Sequence, residues 1–67
     1  SATMDRLGKL RSELSSEKAC AKNEALTPTT RKDCAENAQA LRDMIDEVAS
    51  RALMERSMAG LNVSDNF

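Results

Sequence analysis

The sequence predicts an all-α fold, an antiparallel two-helix hairpin stapled by one disulfide, and three observations carry that reading. Apolar residues recur at helical spacing in two segments. The chain's single proline, in the step Thr27-Pro28, separates those segments. The only two cysteines, Cys20 and Cys34, flank the separation. At 67 residues the chain is one domain, 1–67. So short a chain buries little surface and relies on a staple, a metal or a partner for stability.

Helix one is expected over about 4–25, where Met4, Leu7, Leu10, Leu14, Ala21 and Ala25 follow steps of three, four and seven. Asp5 suits the positive end of its dipole, whereas Gly8 costs about 1 kcal/mol relative to alanine and weakens the start. The turn is placed at 26–29, because proline lacks an N–H and pushes its predecessor out of the helical region. Thr27 is a good N-cap with Pro28 at the first helical position; Thr30 with Asp33 three residues on is the alternative start. Helix two is expected over about 28–59, where Cys34, Ala38, Leu41, Ile45, Val48 and Ala52 keep one stripe. Gly60 is expected to end it, leaving 60–67 as an irregular tail.

Composition narrows the function classes. The only aromatic is Phe67 and there is no histidine, so the core is aliphatic and thin. Ten basic and eleven acidic residues nearly cancel, which removes the basic footprint of a nucleic-acid binder. No apolar run reaches the roughly 18 residues of a membrane span, and no charged-then-apolar leader is recognisable, so the chain is expected to be soluble as written. Ser1 fits removal of an initiator methionine and a cleaved leader equally well. Asn62-Val63-Ser64 matches the N-glycosylation triplet, a pattern common by chance and given no weight.

Two cysteines without histidine cannot complete a four-ligand zinc site, and neither belongs to a C-x-x-C motif or has a base to activate it. The plainest alternative is a pair of reduced, buried thiols. Against it, Cys34 lies on the apolar stripe of its helix but Cys20 lies about a third of a turn off its own. A Cys20–Cys34 disulfide across the turn fits antiparallel helices and closes a loop worth roughly 3 kcal/mol. If native, it places the chain in an oxidising compartment: secreted, periplasmic or the mitochondrial intermembrane space.

The cysteine spacing from Cys20 to Cys34, with Asp33 before the second cysteine, resembles the hinge protein family, the small acidic subunit of the mitochondrial cytochrome bc1 complex. The run Asp5-Arg6-Leu7-Gly8-Lys9 is similar to the pattern after that family's first cysteine. The family's outer cysteine pair would fall at Met4 and Val48, two apolar residues that could replace a bond by a contact. The family's acidic N-terminal extension has no counterpart. The resemblance covers roughly Met4 to Met58 and implies a non-catalytic accessory subunit of ubiquinol-cytochrome c reductase (complex III). Such a subunit docks on cytochrome c1 at the intermembrane-space side of the inner membrane and supports electron transfer to cytochrome c. The alternative is a free-standing helical interaction module, such as a conjugative exclusion lipoprotein of the bacterial periplasm, whose cysteine spacing is similar. An RNA-binding dimer of hairpins, like the small plasmid regulators, is disfavoured because the balanced charge leaves no basic face for RNA.

Two surfaces remain. Met54, Met58 and Leu61, with Leu53 beside them, form a second apolar ridge and are the expected partner-docking residues. Asp43, Asp46 and Glu47 form the candidate acidic contact, although Arg42 and Arg51 stand four residues away as ion-pair partners for Asp46 and Glu47. No acid, base and nucleophile converge, so catalysis, a cofactor and a metal are all unexpected.

Overall fold

The computed structural model describes the backbone of residues 1–65 and the side chains of residues 1–57. It is an antiparallel hairpin of two helices, α1 (Ala2–Lys22) and α2 (Pro28–Asp65), joined by a tight turn. Ser1 starts α1, its Oγ accepting from the Met4 N–H at 3.3 Å, so the helix begins two residues earlier than the apolar pattern suggests. It ends at Lys22, short of Ala25, because Asn23 leaves helical geometry with φ −79° and ψ 103°. The Asn23 side-chain oxygen accepts from the Ala25 N–H at 3.0 Å, a local bond that competes with helix continuation.

Thr27 opens α2. Its Oγ1 accepts from the Thr30 N–H at 3.2 Å, and its carbonyl accepts from Arg31 N at 3.0 Å. Pro28 follows at the first helical position, where its missing donor costs nothing. From the new helix Arg31 reaches back, its Nε donating to the Ala21 carbonyl at 3.4 Å. That bond satisfies one of the carbonyls that the end of α1 leaves without an intrahelical partner.

The expected stop at Gly60 does not occur: α2 runs through it to Asp65. No described residue has a positive φ, so no left-handed cap ends the helix there. One glycine costs about 1 kcal/mol in a helix interior, and no proline follows Gly60 to enforce a break. The residues expected as an irregular tail are therefore helical as far as Asp65; Asn66 and Phe67 lie outside the described residues.

The helices meet along a seam of steps of three and four. On α1 it comprises Thr3, Leu7, Leu10, Leu14, Glu17 and Ala21; on α2, Arg31, Cys34, Ala38, Leu41, Ile45, Val48 and Ala52. This is the heptad spacing of coiled-coil packing. Met4 and Ala25 are exposed and do not belong to it, whereas Thr3 and Glu17 do. Only Leu7, Cys34 and Ala38 are buried outright among the described residues. The Cys20–Cys34 disulfide spans the closed end with a Cα–Cα distance of 5.8 Å. Equating those positions runs the register outward, so Ala2, the first residue of α1, lies level with Ala52 and α2 continues beyond α1.

Closing a loop of this size contributes about 3 kcal/mol, a large share of what a thin hairpin can hold. Reduction, or Cys20→Ser with Cys34→Ser, should lower unfolding free energy by about that amount in a urea titration followed by helix circular dichroism. Thr27→Ala in the oxidised protein should cost about 1 kcal/mol in the same assay.

Candidate interaction surface

The turn brings Cys20 and Cys34 together as a disulfide, which leaves neither available as a thiol nucleophile or metal ligand. Among the described residues no group of three or more histidine, cysteine, aspartate or glutamate side chains could hold a metal ion. Nor is any polar or charged side chain buried among the described residues. Of the described ionisable side chains only Glu17 and Arg31 are even half-buried.

The acidic candidates are all exposed but do not act as one cluster. Asp43 accepts from Gln39 Nε2 at 3.1 Å, and Gln39 Oε1 in turn accepts from Arg42 Nη1 at 3.5 Å. Arg42 is thereby turned towards Gln39, and the expected Arg42–Asp46 ion pair is not formed. Glu47 does pair with Arg51, at 3.0 Å, with both side chains largely in water. Such an i, i+4 pair contributes roughly 0.3–0.5 kcal/mol.

Leu53 and Met54, two of the expected docking residues, are 62% and 65% exposed. The side chains of Met58 and Leu61 lie outside the described residues. Met44 and Met4 add exposed apolar area at 46% and 63%. The exposure of Met4 means that it does not replace an outer disulfide by packing on Val48.

Sequence reading missed a groove of about 310 Å³ at the open end. Ala2, Thr3 and Arg6 line it from α1, and Met44, Glu47, Val48, Arg51, Ala52 and Glu55 line it from α2. The signal for it was present in the cysteine register, which sets the start of α1 beside this part of α2. A smaller hollow of about 170 Å³ near the closed end is lined by Lys18, Ala21, Lys22, Ala35, Ala38 and Arg42. No described helix is long and apolar enough to cross a membrane.

Comparison with family models, with curated proteins and with solved structures finds no match to this chain.

The contrast between seam and surface has a direct consequence. Leu7→Ala should cost about 2–5 kcal/mol, because it empties one of the few buried sites. Glu47→Gln should change stability by less than about 0.5 kcal/mol, and thermal melts of both variants check the difference.

Proposed function

We propose that this chain is a non-catalytic docking module, a stapled helical hairpin that presents α2 at its open end to a protein partner. The carrying observation is surface. A compact protein of 7.3 kDa exposes about 4,200 Å² by the usual scaling, whereas this chain exposes 5368 Å². Its exposed apolar residues include Leu53 and Met54 beside the open end and Met44 further along α2, and exposed apolar side chains grouped on one helix mark interaction sites.

Within that reading the resemblance to hinge proteins supplies the assembly to try first. On it the chain is an accessory subunit of complex III in mitochondria, bound to cytochrome c1 on the intermembrane-space side and aiding transfer to cytochrome c. The hairpin architecture and the disulfide across the turn support this assignment. The second reading is a free-standing module of the bacterial periplasm. Its support is electrostatic: a net charge of −1, with Asp43 and Glu47 engaged by neighbours on their own helix, gives little attraction for a basic carrier.

Docking through the open end predicts that Leu53→Glu with Met54→Glu lowers partner affinity at least about tenfold while helix content is unchanged. Titration of the oxidised chain against detergent-solubilised bc1 complex decides the first assignment. Binding that the double variant loses supports it; no binding at micromolar concentrations rejects complex III as the partner.

A further inference from the structure

Beside the seam, α2 carries a second stripe at the same spacing. Met44, Glu47, Arg51 and Met54 follow steps of three, four and three, so on 3.6-residue geometry they lie one above another. None of them belongs to the seam with α1, and all four are exposed. Met44, Glu47 and Arg51 also wall the open-end groove. Leu53 falls outside the stripe, on the other flank of α2.

The order of residues in this stripe is self-complementary. Set two copies antiparallel about a two-fold axis level with Ala49, and Met44 of each faces Met54 of the other. Glu47 of each then faces Arg51 of the other. From this pattern we infer that a second copy of this chain docks on the stripe, α2 against α2, forming a two-fold dimer with the α1 helices outermost. The inference rests on the docking reading and names its partner.

Two observations favour a second copy over an unrelated protein. Paired antiparallel, a stripe of Met-Glu-Arg-Met matches apolar to apolar and acid to base at every level, which a partner of one charge sign would not. A net charge of −1 leaves two copies with little mutual repulsion. The two-fold arrangement also closes, so it yields dimers and not filaments. Glu47 and Arg51 already pair within their own helix at 3.0 Å, and in the dimer the two such pairs stack into a four-charge cluster at the centre of the interface.

Charge exchange tests this directly. Sedimentation equilibrium of the oxidised wild-type chain should give twice the 7.3 kDa protomer mass at submillimolar concentration. Glu47→Arg and Arg51→Glu each place like charges opposite one another, so each variant alone should dimerise at least about tenfold more weakly. Mixed in equal amounts, the two should recover a dimer, because each then meets its complement. Met54→Glu should weaken the dimer, Leu53→Glu should leave it intact, and circular dichroism should show every variant still helical. A wild-type chain that stays at 7.3 kDa overturns the dimer, as does a mixture no tighter than its components. The docking reading then stands or falls separately, on the titration against a heterologous partner.

Discussion

The covalent tie between Cys20 and Cys34 is the constraint on which the other features depend. Two helices of 21 and 38 residues could pair in several registers, since most of their seam consists of small and aliphatic residues. A bond at the turn selects one, with a Cα–Cα distance of 5.8 Å that commits the remaining seam positions. Once Cys34 is fixed opposite Cys20, Leu7 must lie near Val48 and the start of α1 near Ala52. Slippage by one residue would rotate the stripes past each other, and the bond forbids it. The Thr27 cap and the Arg31 reach to Ala21 act in the same few residues, so the closed end is held by covalent, capping and cross-helix contacts together.

The open end follows from the difference in helix length. With α1 spent at the level of Ala52, α2 continues past it to Asp65. The few buried residues among those described lie between that level and the disulfide: Leu7, Cys34 and Ala38. Towards the open end the surface instead combines methionines with paired opposite charges. Methionine has the flexibility to fit a facing side chain of uncertain shape, and a balanced acid and base pair fixes orientation without adding net charge. A surface of that composition suits helix-to-helix association better than the grip of a small polar ligand.

Much of the fold was legible in the residues. The Thr27-Pro28 step announced the start of α2 because two independent constraints, a hydroxyl cap and a ring without a donor, coincide there. The cysteine pair announced the turn because each sits one helix-end away from it. Other features were hidden. Asn23 ended α1 through a side-chain bond that no apolar periodicity records. Gly60 misled, since a glycine signals a helix end only when the chain beyond it adopts another conformation, and here it does not. Met4 looked like a seam residue by spacing, yet Thr3 took the place: the heptad count starts from the disulfide register and not from hydrophobicity. The groove was legible only in hindsight, because it exists between two segments far apart in sequence.

The join at one end gives the molecule the mechanics of a clamped beam. Its longer helix spans about 57 Å at 1.5 Å per residue, and the strongest constraints all sit at one tip. A rotation of about 6° at the turn, smaller than the scatter of ordinary helix dihedrals, displaces the far tip by about 6 Å. Stiffness is therefore graded along the rod without any change in secondary structure. A contact made at the free tip acts first on the stretch of α2 beyond Ala52, which α1 does not reach, and passes to the turn only through the seam. The staple lets the hairpin bear such a contact without losing its register.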